Sequence, residues 1–187
     1  QLSTIEALEQ EYRTSLAPQI QSTGTEMSPS DYFKWAGELR GILPQIQGLE
    51  HWEQLEHHMI APRVNQILQL LSRQLSGTTA EQWEHWRQRY IPEFLTLLRA
   101  FRHEATLRSR AQTEQITRAI GPLLPDAPRA ASLSQNMFWI LSSTPGVTCV
   151  LNGMRTPSYV EDSLAVLNWT PISEPKPIYE AAHALLQ

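Results

Sequence analysis

The sequence predicts a mainly α protein: a helical bundle carrying one short αβα piece near its end. Three observations lead there. Apolar residues recur at three- and four-residue steps over most of residues 1–125. Pro122, Pro125 and Pro128 then break the chain into a linker. Beyond the break lies the one run with strand character, Val147-Thr148-Cys149-Val150-Leu151. Two regions are therefore expected, a helical bundle over 1–125 and a C-terminal piece over 126–187.

In the first region, Ser3-Thr4-Ile5-Glu6 reads as a capping box, the hydroxyl taking an orphan amide and the glutamate reaching back. Ile5, Leu8, Tyr12 and Leu16 follow at helical spacing. Ser22-Thr23-Gly24-Thr25 reads as a loop of turn formers. Ser28-Pro29-Ser30-Asp31 opens a second helix, with Ser28 as cap, Pro29 in the first turn and Asp31 complementing the dipole. Tyr32, Trp35, Ala36, Leu39, Ile42 and Leu43 form its stripe, and Pro44 ends it.

A third helical region covers 49–75. Pro62 must kink or divide it, having no amide to donate and a ring that crowds the preceding turn. Val64, Ile67, Leu68, Leu71 and Leu75 make a buried stripe, and Ser76-Gly77 closes it. Thr78 or Thr79 caps the next helix. Its stripe runs through Trp83, Trp86, Tyr90, Phe94, Leu97, Leu98 and Phe101, with Pro92 as a second kink point. From Arg102 to Thr117 the pattern turns polar, as in an exposed extension or a helix with a narrow contact face.

Composition bounds the function. The chain has 187 residues, 41% hydrophobic and 18% charged, which suits one domain or a domain with an appendage. A net charge of −4 and a pI near 5.9 argue against a general nucleic-acid or anionic-membrane binder. The single Cys149 excludes an internal disulfide framework and a multi-cysteine zinc site. No run reaches the length of a bilayer span and no signal peptide opens the chain, so a cytoplasmic protein is expected. The first residue is Gln1, not Met, so a piece of something longer is expected.

The second region differs in kind. Ser132-Leu133-Ser134-Gln135 is a capping box, and Met137, Phe138, Ile140 and Leu141 carry a short helix onward. Pro145-Gly146 turns into the 147–151 run, which is β-branched and nearly all apolar, as in a strand covered on both faces. Asn152-Gly153 makes the exit. Thr156 caps a helix that starts at Pro157 and carries Val160, Leu164, Ala165 and Leu167. Residues 171–177 are extended, and 178–186 form a last short helix. A strand of this kind needs parallel neighbours, and the rest of the chain offers none, so its partner strands are expected in another part of a larger polypeptide.

The stretch from Ser132-Leu133-Ser134-Gln135, through Ser143-Thr144-Pro145-Gly146-Val147-Thr148-Cys149-Val150-Leu151-Asn152-Gly153-Met154-Arg155-Thr156-Pro157, to Tyr159-Val160-Glu161-Asp162-Ser163-Leu164 resembles the end of the aldo/keto reductase barrel. It covers residues 132–169. The resemblance implies an NADP(H)-dependent oxidoreductase on a (β/α)₈ barrel, with this stretch as its last unit. Gly153, Met154 and Arg155 then fall in the loop that grips the 2′-phosphate end of the cofactor. Asp162 and Ser163 fall where the family has an acid and an asparagine that contact adenine. A helix N-terminus offers unpaired amides, and a nearby arginine offers a forked donor, both suited to phosphate.

The match departs from the family at three places. Asn152 stands for the usual proline, Ser163 for the usual asparagine, and Tyr159 for an arginine on the last helix, a charge that Arg155 supplies from the loop. The family's catalytic Tyr, Asp, Lys and His lie on earlier strands. The two lysines here, Lys34 and Lys176, follow no strand, and a barrel needs about 250 residues. No catalytic residue is expected in this chain.

Other groupings have plainer readings. His51, His57 and His58 crowd a helix with Glu50, Glu53 and Glu56, but no Glu-x-x-His or His-Glu-x-x-His spacing occurs among them, and a solvated charged face is expected. Trp35, Trp52, Trp83 and Trp86 read as core fillers before pocket walls. Arg99, Arg102, Arg108, Arg110 and Arg118 read as a solvated face. Cys149 reads as a small buried residue, not a nucleophile.

Two functions follow. In the first, this is the C-terminal portion of an aldo/keto reductase-like oxidoreductase, inactive alone, contributing the last strand and the NADP(H)-phosphate loop. Its partner is the N-terminal remainder of the barrel or another protein chain, with neither nucleic acid nor membrane involved. In the second, the chain is a helical protein–protein interaction module with a degenerate reductase remnant. Without sheet neighbours, the 147–151 run would pair with itself across a homodimer or lose its strand form.

Overall fold

The computed structural model describes residues 1–20, 27–125, 131–154 and 156–185, and among them it is helical, without a strand. The expected Ser22–Thr25 loop, Pro128 and Arg155 lie outside the described residues. The chain divides into two compact units, Gln1–Ser109 and Arg110–Gln187. The division falls inside a helix, not at the proline linker.

The N-terminal unit contains α1 (Leu2–Glu11), α2 (Trp35–Ile42), α3 (Leu49–Leu55), α4 (Ala61–Gln74) and the first part of α5 (Gly77–Ile120). Its core is aromatic. Trp83, Trp86, Tyr90 and Phe94 recur at three- and four-residue steps, so they share one face of α5. Their rings stack in sequence, with centroids 5.4, 4.5 and 5.5 Å apart. Phe33 enters this row, 4.7 Å from Trp86 and 5.2 Å from Tyr90, and meets Tyr12 edge-on at 4.7 Å. Ile5, Leu39, Trp52, Ile60 and Leu71 complete the core, each buried. All four tryptophans of this unit are core residues.

Two prolines shape the helices. Tyr12–Leu16 and Glu56–Ile60 are both single π turns, and each leads directly into Ala-Pro, at Pro18 and at Pro62. Ala17 N–H donates to Tyr12 O, and Ala61 N–H donates to Glu56 O. The wider turn makes room for a ring that would otherwise strike the carbonyl of the preceding turn. The 49–75 region is therefore divided at Pro62, as expected, by a π turn between α3 and α4. Pro92, by contrast, does not divide α5. The stripe and the polar segment after it are one helix of 44 residues.

Several expected caps are replaced by contacts from elsewhere. Ser3 is not the first cap: α1 starts at Leu2, and the amides of Thr4 and Ile5 bond to Gln1 O. Ser28 precedes a 3-10 turn, Pro29–Asp31, and α2 begins only at Trp35. The buried amide of Ala36, in its first turn, is satisfied by Glu9 from α1, at 3.2 Å. Neither Thr78 nor Thr79 caps α5, which starts at Gly77, a residue with φ +58°. That left-handed backbone suits glycine. Thr79 Oγ1 instead donates to Gln19 Oε1 at 3.0 Å.

The C-terminal unit contains the end of α5, α6 (Leu133–Ser142), α7 (Pro157–Leu164) and α8 (Lys176–His183). Ile120, Trp139, Ile140, Val166, Ile172 and Ile178 form its small core. Trp139 packs edge-on against Trp169 at 5.2 Å and donates from Nε1 to Thr170 O at 2.8 Å.

The expected strand is absent, and with it the αβα unit as drawn. Residues 147–154 are irregular. Val147 is 38% exposed and Leu151 94% exposed, and Cys149 is exposed where a buried thiol was expected. The physical reason is the one that made the run conspicuous. A strand's amides and carbonyls need neighbouring strands, and the described residues contain none.

Candidate functional site

The site of interest lies in the C-terminal unit, where the irregular 147–154 segment joins α6 to α7. Both flanking helices start as their sequences dictate. Ser132 Oγ accepts from Gln135 N at 3.1 Å while Gln135 Oε1 accepts from Ser132 N at 3.0 Å, a complete capping box. Thr156 Oγ1 accepts from Tyr159 N at 3.4 Å, ahead of Pro157 in the first turn of α7.

Between these helices and the segment is a cleft of about 380 Å³. Phe138, Trp139, Val166 and Trp169 line one part, and Val147, Val150 and Met154 another. Among the described residues no charged side chain lines it.

The five residues singled out from sequence fall in different surroundings. Gly153 and Met154 sit on the exposed segment, and Met154, 46% exposed, also lines the cleft. Arg155 lies outside the described residues. Ser163 is buried and lines the cleft, its hydroxyl donating to Tyr159 O at 2.7 Å and accepting from Asn152 Nδ2. Asp162 is drawn to the start of α6, where its carboxylate accepts from Ser134 Oγ at 2.6 Å and Ser132 Oγ at 3.3 Å. Gln135 Nε2 also donates to Asp162 O at 3.2 Å. The structure thus brings Met154 and Ser163 to one cleft and ties Asp162 to α6.

Sequence reasoning treated Ser132 and Ser134 only as parts of a helix start and missed their hold on Asp162. A local cap pattern says nothing about a carboxylate 28 or 30 residues away. It also missed that Asn152 and Ser163 bond to each other. The signal was present, since both positions had been marked as unusual.

The histidine and tryptophan clusters lie in the N-terminal unit with Arg99, Arg102 and Arg108, while Arg110 and Arg118 belong to the other unit. Arg102 donates to Glu53 at 2.7 Å and to Glu56 at 3.0 Å, so those carboxylates serve an ion pair. No group of three His, Cys, Asp or Glu among the described residues is placed to hold a metal ion. Arg108 donates to the carbonyls of Leu43 and Ile46 at 2.9 and 2.7 Å, closing the end of the α2 segment. No helix among the described residues is long and apolar enough to cross a membrane.

Comparison of the chain with protein-family models, with curated proteins and with solved structures finds no match.

Proposed function

We propose that the chain is the C-terminal portion of an aldo/keto reductase-like NADP(H)-dependent oxidoreductase, inactive alone. Its C-terminal unit would contribute the last strand and the cofactor-phosphate loop to a barrel built mainly by other residues. The observation that carries this reading is the state of residues 147–151. An uncharged, apolar run lies between two side-chain-capped helices, yet Leu151 and Val147 are exposed. An apolar segment left in water between ordered helices is what a strand deprived of its sheet looks like.

Asn152 and Ser163, two of the positions that depart from the family pattern, hydrogen-bond to each other, which joins the segment to α7.

The residues present fit a phosphate in part. Gly153 and Met154 are exposed next to the N-terminus of α7, and Gly153 lets backbone approach closely. When bound, the cofactor would supply hydride chemistry; this chain's residues would only bind and orient it. The Asp162 carboxylate already accepts from two serines, so contact with adenine would require it to leave them.

The test is the polypeptide as its gene encodes it. If upstream sequence supplies the remaining βα units, that protein should bind NADPH, and Arg155→Ala should raise the Kd about tenfold, as expected for a charged hydrogen bond to phosphate. An encoded polypeptide without barrel units, or one in which Arg155→Ala leaves NADPH affinity unchanged, would overturn the reading.

The second reading, a helical interaction module, has one observation in its favour: the Gln1–Ser109 unit closes an aromatic core from its own helices. An encoded polypeptide that starts close to Gln1 would favour it.

A further inference from the structure

The C-terminal unit leaves large apolar side chains in water, and several of them gather at one place. Val147, Met154, Leu164 and Leu167 are all exposed, Leu167 to 76%, and all four line the cleft of about 380 Å³ beside α6. Apolar side chains exposed singly are ordinary, but four around one concavity mark a binding surface. The volume lies within the range of small-molecule sites, about 300–1,000 Å³. No barrel is needed to form the cleft, since its walls all come from residues between Phe138 and Pro171.

The two sides of the cleft differ in kind. One side is fixed. Trp139 is buried, its indole N–H held by Thr170 O at 2.8 Å and its ring edge-on against Trp169 at 5.2 Å. Val166 is buried in the same small core. The other side is the irregular segment. Val147 N donates to Thr144 O at 3.1 Å, but among the described residues 148–151 make no hydrogen bond. With the soft thioether of Met154 beside it, this side can mould to an apolar shape.

The polar groups of the cleft define what fits. Ser142 Oγ and Ser143 Oγ both donate to Trp139 O, at 3.1 and 2.7 Å, and Ser143 Oγ also accepts from Ile172 N at 2.9 Å. Ser163 Oγ donates to Tyr159 O at 2.7 Å. These hydroxyls are committed within the chain. The Thr148 hydroxyl and the Cys149 thiol remain, both exposed, and offer at most a neutral hydrogen bond. By contrast, a groove of the N-terminal unit lined by Leu8 and Pro92 also carries Glu11, Arg89 and Glu93. A charged ligand in the C-terminal cleft would give up its water and gain no counter-charge from the described residues.

We propose that this cleft binds an uncharged, largely apolar small molecule, held between the Trp139–Trp169 side and the 147–154 segment.

The test uses the 187-residue chain and two fluorescent probes that share one aromatic skeleton. N-phenyl-1-naphthylamine is neutral, and 8-anilino-1-naphthalenesulfonate adds a sulfonate. The neutral probe should bind saturably, one per chain, with a Kd on the order of 10 μM, and the sulfonate should bind about tenfold more weakly or worse. Val147→Trp, which fills the mouth, should weaken the neutral probe by about tenfold or more, while Leu151→Glu, on the same segment but outside the cleft, should leave its Kd within about twofold. Non-saturable binding, equal affinity for the sulfonate, or equal loss in the two variants would overturn the proposal. The wild type gives a check that needs no variant. Cys149 lines the cleft and is the chain's single cysteine, so saturating neutral probe should slow its alkylation by iodoacetamide several-fold. An unchanged alkylation rate would overturn the proposal equally. None of these outcomes depends on NADPH or on upstream barrel units, so this proposal and the reductase reading fail separately.

Discussion

Ser109 on α5 and Gly48 before α3 are fitted to each other. Ser109 Oγ accepts from Leu49 N at 2.8 Å, capping α3 from another helix. A Cβ added at Gly48 would lie 2.5 Å from that same oxygen. Gly48 has φ 177°, an extended backbone that any residue adopts, so the requirement for glycine there is one of space.

Gly48→Ala should therefore destabilise the N-terminal unit by about 1–3 kcal/mol, as overpacking does. Ser109→Ala should cost about 1 kcal/mol through the lost cap. In the Ser109→Ala background the added methyl has room, so the double variant should be more stable than the sum of the two predicts. Chemical denaturation of all four proteins gives the coupling. Strict additivity would show that the two residues do not meet.

Arg102 and Arg108 should respond differently to salt. Arg102 pairs with Glu53 and Glu56 near the surface, its side chain 40% exposed. Arg102→Ala should cost roughly 1 kcal/mol or less, and the loss should shrink in high salt. Arg108 also pairs with Glu104 at 3.2 Å, but its bonds to the Leu43 and Ile46 carbonyls are ones that salt screens little. Arg108→Ala should cost about 1–3 kcal/mol in both conditions, because acceptors lose their donor. Thermal melts at low and high salt separate the two.

Tyr12 carries a buried hydroxyl that has no hydrogen-bond partner among the described residues. Burial holds that hydroxyl well above the usual tyrosine range. Its ring contacts with Phe33 and Trp86 need no oxygen. Tyr12→Phe should leave stability unchanged or raise it by up to about 1 kcal/mol, since an unpaired buried group is removed. A loss above about 1 kcal/mol in urea titration would show that the hydroxyl is bonded in solution.

Leu151 separates the two functional readings. It is 94% exposed, so Leu151→Glu should change the stability of the 187-residue chain by no more than about 0.5 kcal/mol. In a polypeptide that completes a barrel around it, the same substitution should place a charge in a sheet interior. NADPH binding and folding should then fail together. Equal tolerance in both proteins would argue for the interaction module.

Much of the fold was legible in the residues themselves. The stripes at Trp83, Trp86, Tyr90 and Phe94 and at Val64, Ile67 and Leu71 are buried as their spacing requires. The Ser132 box and the Thr156 cap form as written, because each closes within four residues of chain. The break at Pro62 is likewise local chemistry, since a missing amide must be accommodated wherever the chain goes.

Tertiary structure decided what depends on distant partners. Glu9 serves the amide of Ala36 in the first turn of α2, which begins at Trp35 and not at Ser28, and Ser109 serves the one at the start of α3. Asp162 went to Ser134, a partner 28 residues away, for the same reason. The run at 147–151 shows the limit most clearly. Composition and alternation establish that it is apolar and β-branched, but a strand exists only when other backbones accept its hydrogen bonds. Among the described residues no segment does so, and the run stays irregular and exposed.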